Sequence, residues 1–212
     1  MDTSKPNPRS GGTDVAAQDW SPRSRRDADP DSDVVDLVAN NDMTAALRLL
    51  MQRHGSAVYR YCREALRDAA LADDVQQHVF IQAFRDLPKF RRQSTVRTWL
   101  FSIARHRALD AAKARRRSLA RLESEVPSGV PAPGPLPGEA IDDRRLEEAL
   151  VACLAQLPVP VRHAVLLRFQ QGFTFEDMAV VCGEKPGTLQ AKVARALPQL
   201  RACIEHRTGA SL

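Results

Sequence analysis

The sequence contains no long apolar run, no apolar N-terminal segment and few aromatic residues. No stretch reaches the roughly 18 consecutive apolar residues of a membrane-spanning helix, so membrane insertion is not expected. The N-terminus lacks the apolar core of a secretory signal, which favours a cytoplasmic protein. Aromatic residues make up only 5% of the chain, a composition that fits small helical domains.

The four cysteines form no Cys-x-x-Cys pair. Cys62, Cys153, Cys182 and Cys203 are therefore expected to be buried thiols in a reducing compartment. Cys203 and His206 are close enough in sequence to share a metal ion, but no second close pair of ligands accompanies them. We therefore expect neither a metal nor a cofactor.

Motifs that carry catalysis are also absent. The sequence has no paired carboxylates in a cleft motif, no metal-ligand spacing, no Gly-rich phosphate loop and no recognisable nucleophile motif. No catalytic residue is assigned. An enzyme, such as a hydrolase or a nucleic-acid-modifying enzyme, is therefore not expected.

The positive charge of the chain is concentrated in one segment. The whole sequence has a formal net charge of +5, but residues 1–42 carry −4, residues 43–117 carry +10 and residues 118–212 carry −1. A block this basic indicates binding to a polyanion, most simply nucleic acid. The alternative is a solvated surface of Arg-rich helices.

Composition divides the chain into two small helical domains, and the predicted fold class is all-α. Residues 1–32 are rich in Pro, Ser, Gly, Asp and Arg and are predicted to be a disordered arm. Residues 33–117 read as a helical bundle and residues 141–205 as a second helical domain. Residues 118–140 contain five prolines within eleven positions, which predicts an extended, flexible linker. Residues 206–212 are predicted to be a flexible tail.

Apolar stripes at helical spacing predict the helices of the first domain. The stripes lie at 34–38, 46–51, 58–65 and 71–84, and a long helix is expected from about 95 to 117. Pro88 is expected to end the helix before it. Residues 89–94 then form a basic, polar loop with one aromatic residue.

Residues 174–196 are the most informative stretch of the chain. Thr174 is expected to cap a first short helix, with Asp177 completing a capping box. Gly183 supplies the positive φ of a tight turn, and Pro186 suits the first position of a second helix. The pattern predicts a helix-turn-helix, whose second helix can lie in a DNA major groove. The alternative is an ordinary helical hairpin in an all-α core.

Ordered motifs in both domains resemble bacterial sigma factors. Residues 73–80 (DDVQQHVF), Phe90, residues 98–105 (TWLFSIAR) and residues 108–110 (ALD) resemble region 2. Residues 157–158 (LP), 165–168 (VLLR), 172–179 (GFTFEDMA) and 187–188 (GT) resemble region 4. Their spacing and the absence of a third domain are similar to the extracytoplasmic-function (ECF) group.

The resemblance implies a transcription initiation subunit that binds core RNA polymerase and directs it to promoters. It places the polymerase contact at Asp74, Gln77 and Phe80. Alternatively, Asp74 only solvates a helix start and Phe80 belongs to the core. The resemblance also implies regulation by an anti-sigma protein. A sigma-like DNA-binding regulator that does not engage polymerase is the competing interpretation.

The resemblance places contacts with the −10 promoter element in the basic loop and on the long helix. The expected residues are Phe90, Arg91, Arg92, Gln93, Ser94, Arg105, His106 and Arg107. Gln93 and Ser94 would bind the edge of a flipped base, Phe90 would offer a stacking surface, and the loop arginines would contact phosphates. Trp99 is interpreted as a core residue rather than as a wedge between bases.

Contacts with the −35 element are expected on the second helix of the helix-turn-helix. The expected residues are Lys185, Gly187, Thr188, Gln190, Ala191, Lys192 and Arg195. Gln190 suits an adenine edge, while Lys192 and Arg195 suit phosphates or guanine. Pro198 is expected to interrupt a segment that is usually a continuous basic helix. The sequence therefore predicts weak −35 binding or an unusual −35 sequence.

Overall fold

The computed structural model describes residues 29–123 and 143–209, and all regular structure in these residues is helical. The helices are α1 (Ser32–Ala39), α2 (Met43–Leu66), α3 (Ala69–Asp86), α4 (Val96–Glu123), α5 (Asp143–Gln156), α6 (Val159–Val165), α7 (Phe175–Cys182) and α8 (Pro186–Thr208). A 3-10 turn (Leu87–Lys89) follows α3, and a π-helical turn (Leu166–Gln170) follows α6. The all-α prediction is confirmed. None of these helices is both long and apolar enough to cross a bilayer.

A single helix, α2, contains two of the predicted stripes. Asp42 caps it by accepting a hydrogen bond from the Ala45 N–H at 3.0 Å. Gly55 lies inside this helix, where glycine costs about 1 kcal/mol relative to alanine. The buried stripe nevertheless continues from Leu50 to Val58 across Gly55, because packing outweighs this local preference.

Two predicted boundaries fall too early. The long helix α4 continues beyond Arg117 to Glu123, because neither Gly nor Pro follows until Pro127. The first six residues of the predicted linker are therefore helical. Helix α8 likewise continues through part of the predicted tail to Thr208, whose side chain is buried, and Gly209 ends it with φ 72°. Residues 1–28, 124–142 and 210–212 lie outside the described residues.

The end of the predicted disordered arm is ordered and packed. Asp29 caps α4, because its Oδ2 accepts a hydrogen bond from the Val96 N–H at 2.8 Å. Asp31 is buried, with its carboxylate 2.8 Å from His54 Nε2 and 3.2 Å from an Arg53 nitrogen. Burial would raise the pKa of Asp31, but His54 and Arg53 outweigh it and hold the pKa below its ordinary value.

Pro198 lies inside α8 and does not interrupt it, so that expectation was wrong. A proline removes one backbone N–H and crowds the carbonyl four residues earlier. That residue is Ala194, which is exposed, so water can satisfy its carbonyl. Buried Val193 and Leu200 lie on either side of Pro198 and hold the helix against the second domain.

The two domains pack against each other over one continuous apolar core. Helix α4 packs against α7, and α2 packs against α6 and the π-helical turn. At the interface, the ring of Phe101 contacts Tyr61 and Phe173, with centroid distances of 5.6 and 5.2 Å. The Tyr61 hydroxyl lies 2.6 Å from His163 Nδ1, and both side chains are fully buried. The sequence did not predict this interface.

Arg97 on α4 also belongs to this interface. Its guanidinium lies over the rings of both Phe101 and Phe173, with Cζ 5.4 and 4.2 Å from their centroids. It donates a hydrogen bond to the Gln171 carbonyl. Burial lowers the pKa of Arg97, while the charge of Asp177 partly opposes that shift. Arg97 thus joins the two domains.

Cys153 and Cys203 form a disulfide between α5 and α8, so the prediction of four thiols was wrong. The pairing depends on the approach of two helices whose cysteines are 50 positions apart in the chain, and the spacing of the cysteines does not reveal that approach. Cys203 is therefore not available to share a metal with His206. Cys62 and Cys182 are free thiols.

Candidate functional site

An exposed apolar groove lies between α2 and α3. This α2–α3 groove is lined by Leu47, Met51, Gln76, Gln77, Phe80, Ile81, Phe84 and Arg85. Met51 and Ile81 are each 48% exposed and Phe84 is 42% exposed, although all three are large and apolar. Clustered apolar side chains at a surface mark a site of interaction with another macromolecule.

The predicted polymerase-binding residues lie on or beside this groove. Gln77 is exposed and lines the groove, and Phe80 lines it while being largely buried. Asp74 is exposed one turn before Gln77 on α3. Sequence reasoning missed Ile81 and Phe84, although their spacing of four and seven residues from Gln77 continues the same helix face.

The loop before α4 presents polar side chains to solvent. Arg91, Arg92 and Gln93 are exposed. Arg92 has φ 51°, a left-handed conformation that is uncommon for a residue other than glycine. Its guanidinium lies 3.6 Å from the Asp36 carboxylate, and an exposed pair of this kind contributes little stability. The arginines are therefore available to a ligand.

Phe90 and Ser94 of this loop are half-buried. The ring of Phe90 packs on Trp99 with centroids 5.3 Å apart, and Trp99 lies against the apolar cluster beneath α1. This packing agrees with the interpretation of Trp99 as a core residue. The Ser94 hydroxyl donates to the Thr95 carbonyl at 3.2 Å. The loop thus has an aromatic base and a polar rim.

The three basic residues predicted on α4 lie in different surroundings. His106 is exposed and lies 3.2 Å from Asp110. Arg107 donates to Gln82 Oε1 on α3 at 2.7 Å. Arg105 faces the second domain, where one terminal nitrogen lies 3.5 Å from the Cys182 carbonyl oxygen. Arg105 is therefore an interface residue in this arrangement and does not join the loop.

The helix-turn-helix forms as the sequence predicts. Thr174 Oγ1 accepts from the Asp177 N–H at 3.1 Å and donates to the Asp177 carboxylate at 2.7 Å. Gly183 has φ 67° and ends α7. Pro186 is the first residue of α8, and Leu189 is buried against the domain core. The predicted cap, turn and helix start are confirmed.

The recognition face of α8 is exposed in its first turns. The exposed residues of the predicted set are Lys185, Gly187, Thr188, Gln190 and Arg195. Ala191 and Lys192 are half-buried, and Lys192 forms an ion pair with Glu184 in the turn. Glu184 thereby neutralises one of the cations that the sequence assigned to DNA.

Two parts of the chain match family models of RNA polymerase sigma factors. Residues 50–118 match Sigma-70 region 2, and residues 147–200 match Sigma-70, region 4. The first range contains the α2–α3 groove, except for Leu47, and the basic loop. The second contains the helix-turn-helix. The fold and these surfaces define a two-domain sigma factor.

Similar curated proteins identify the group of sigma factors to which the chain belongs. The chain is 33% identical over 154 residues to the ECF RNA polymerase sigma factor SigE of Mycolicibacterium smegmatis, covering 72% of this chain and 59% of SigE. It is 36% identical over 146 residues to the ECF sigma factor SigC of Mycobacterium tuberculosis, covering 66% and 74% of the two chains. The chain thus spans about three fifths of the length of SigE. It belongs to the ECF group of sigma factors.

Solved structures share the fold. CnrH, in complex with the cytosolic domain of CnrY, has a TM-score of 0.61 at 22% identity, covering 82% of this chain and 97% of CnrH. RpoE of Bartonella quintana, in complex with the anti-sigma factor NepR, has a TM-score of 0.60 at 23% identity, covering 74% and 96%. These likenesses show that the helical arrangement is that of known sigma factors.

Proposed function

We propose that this chain binds core RNA polymerase and directs it to promoters, melting the −10 element and binding the −35 element. The observation that carries the proposal is the α2–α3 groove. Met51, Ile81 and Phe84 are large, apolar and exposed on the domain that carries the basic loop. Binding to DNA alone does not explain them, whereas binding to a protein partner does. The chain acts as a binding subunit inside the cell, and we assign it no chemical reaction of its own.

The α2–α3 groove fits a helix of the polymerase. Ile81 and Phe84 supply apolar anchors, while Asp74 and Gln77 lie on the same helix face and supply a polar edge. An apolar centre with a polar rim is the usual anatomy of a helix-in-groove interface. Phe80 supports the anchors from beneath.

The basic loop fits the single-stranded −10 element. Gln93 and Ser94 can hydrogen-bond a base edge, and the half-buried ring of Phe90 in the same loop can offer a stacking surface. Capture of an unstacked base recovers roughly 1–3 kcal/mol and offsets part of the cost of opening the duplex. Arg91 and Arg92 are exposed and fit the phosphates of the same strand.

The first turn of α8 fits the −35 duplex. Backbone N–H groups near Gly187 and Thr188 can receive a phosphate at the positive end of the helix. Gln190 is exposed and suits an adenine edge, and Arg195 suits a phosphate or guanine. Residues 141–212 carry a net charge of only +1, so this domain alone should bind DNA poorly. Binding to polymerase then raises its effective concentration at the promoter.

An anti-sigma protein is the proposed regulator of this chain. The support is that CnrH and RpoE, which share its fold, were each solved with a bound partner, which for RpoE is the anti-sigma factor NepR. Such a partner would compete with polymerase or DNA for the surfaces described above.

Reconstituted transcription tests the proposed function. The purified chain is mixed with bacterial core RNA polymerase and sheared genomic DNA, and the 5′ ends of the transcripts are sequenced. New start sites that share upstream elements and are absent with core polymerase alone are the expected result. If no new start site appears and the chain alone binds duplex DNA tightly and specifically, the regulator interpretation replaces this proposal.

Substitutions in the basic loop should separate base recognition from phosphate binding. Gln93→Ala should change the preference at one −10 position by roughly 10-fold, because a base-edge contact is lost. Arg91→Ala should weaken binding to all promoters and lower the slope of log affinity against log salt by about one. Titration of the polymerase complex on a panel of −10 variants measures both effects.

Arg60→Ala is the matched control for these substitutions, because Arg60 is exposed on α2 and lies away from the loop at a groove beside the second domain. It should change neither quantity. An equal, sequence-blind loss from Gln93→Ala and Arg91→Ala would remove the base-reading role from Gln93.

A further inference from the structure

The disulfide of the second domain joins two helices that are far apart in sequence. Cys153 on α5 is only 1% exposed, whereas Cys203 on α8 is half-buried. Their Cα atoms are 5.9 Å apart, which lies within the range of ordinary disulfides. The backbone therefore holds the two sulfur-bearing residues at bonding distance, and one of them is accessible from solvent.

One of the joined helices, α5, also contacts the first domain. Arg67 at the end of α2 donates to the Val151 carbonyl on α5 at 2.7 Å. Arg162 on α6 donates to the Leu154 carbonyl at 2.9 Å and also to the Ala65 carbonyl on α2 at 3.0 Å. Helix α5 thus packs against α8 and is linked to the end of α2 through these two arginines.

A second apolar groove is lined in part by these two helices, together with α2 and the π-helical turn. This α5–α8 groove includes Leu150 and Leu154 from α5 and Leu197, Leu200 and Ile204 from α8. Leu154 and Ile204 are the immediate neighbours of Cys153 and Cys203. A covalent bond between the helices therefore fixes the width of the groove as well as the position of α5.

The other two cysteines are poorly suited to compete for this bond. Cys62 is buried on α2, where burial raises the pKa of its thiol to about 12. Burial also raises the pKa of Cys182 on α7. Because the thiolate is the reactive form, both thiols should react slowly with oxidants. Oxidation is thereby directed to one pair.

We propose that Cys153 and Cys203 are a redox-responsive pair whose disulfide locks α5 onto α8. A small-molecule disulfide serves as the oxidant. The accessible Cys203 thiolate attacks it, forms a mixed disulfide and releases one small thiol. The Cys153 thiolate then attacks the Cys203 sulfur and releases the second small thiol. The protein loses two electrons and two protons, and the small disulfide is reduced to two thiols.

The bond should stabilise the docked, two-domain chain. It closes a loop with a sequence separation of 50 residues, which restricts the unfolded chain strongly. For a chain of this size the expected rise in melting temperature is about 10 °C. Reduction should loosen α5 from α8 without altering the free thiols at Cys62 and Cys182.

The test uses the full chain incubated with oxidised or reduced glutathione. Unreacted thiols are alkylated in denaturant and counted by mass spectrometry, and melting is followed by circular dichroism on samples that are not alkylated. Oxidised wild type should show two alkylated cysteines and melt about 10 °C above the reduced form. The Cys62→Ser/Cys182→Ser variant should keep the shift, and Cys153→Ala should lose it.

These readouts do not depend on polymerase or DNA, so they stand apart from the proposed function. Four alkylated cysteines under oxidising conditions would overturn the proposal. Equal melting temperatures of the wild type in oxidised and reduced glutathione would also overturn it. Peptide mapping that pairs Cys62 or Cys182 with either partner would overturn it as well. Because the decisive comparison is between two states of the wild type, poor folding of a variant does not obscure the answer.

Discussion

Replacing Ile81 by Glu should reduce the affinity for core RNA polymerase by about 100-fold. Ile81 lies in the α2–α3 groove and is 48% exposed, so the free chain tolerates a polar side chain there. In the complex, the same carboxylate would be buried against an apolar partner without a counter-ion, which costs several kcal/mol. Titration of labelled chain with core polymerase measures the loss.

Val180→Glu is the matched control for this substitution. Val180 lies on α7 in the second domain and is 53% exposed, so it introduces the same charge at a similar exposure outside the groove. It should retain most of the affinity for core polymerase, and both variants should melt close to the wild type. Wild-type affinity of the Ile81→Glu variant would show that polymerase does not occupy the α2–α3 groove.

Lowering the pH from 7 to 4.5 should weaken the docking of the two domains by about 2–3 kcal/mol through His163. Burial, together with the charges of Arg105 and Arg162, lowers the pKa of His163 from 6.5 to about 3. The undocked imidazole therefore binds a proton that the docked one excludes. The docking contribution is full above pH 6.5 and is lost progressively as the pH falls towards 3.

The loss of docking is measured as an increase in the distance between the domains. Fluorescence energy transfer between one dye on each domain reports that distance. His163→Gln removes the titrating group while keeping a polar partner for the Tyr61 hydroxyl. The variant should dock at pH 7 and show a shallower pH dependence than the wild type. Other groups, such as the buried carboxylate of Asp31, also titrate and set the baseline that both proteins share. Identical pH profiles for the two proteins would contradict the role of His163.

The helix-turn-helix could be predicted from the sequence because local chemistry specifies it. Thr174 as a cap, Gly183 with positive φ and Pro186 at a helix start each act within one turn of the backbone. Such signals are visible in a single sequence, and the structure confirms them. The basic loop was predictable for the same reason, since Pro88 and the polar residues after it end the apolar periodicity.

The interface between the domains could not be predicted in this way. Tyr61 and Phe101 follow the apolar periodicity of helices in the first domain, and nothing local shows that they face His163. The contact between Tyr61 and His163 joins residues 102 positions apart. The same limit applies to the disulfide. It also applies to Arg105, because its charge suggests a DNA-binding face and only the position of α7 shows that it lies at the interface.

Exposure, rather than residue type, reveals the α2–α3 groove. Met51, Ile81 and Phe84 look like ordinary core residues in the sequence, because apolar side chains at helical spacing usually face inward. The structure shows that the core is complete without them. The family resemblance identified Asp74 and Gln77 as candidate binding residues. The apolar centre beside them became visible only from the packing of the helices.

The contacts of Arg97 across the domain interface affect how this chain can be recombined with its relatives. Arg97 and Phe101 belong to one domain, and Phe173 and Gln171 belong to the other. A chimera that takes its second half from another sigma factor would place a desolvated guanidinium against a surface that did not evolve to receive it. Exchange of a domain with a relative should therefore transplant Arg97 and Phe101 together with Phe173 and Gln171.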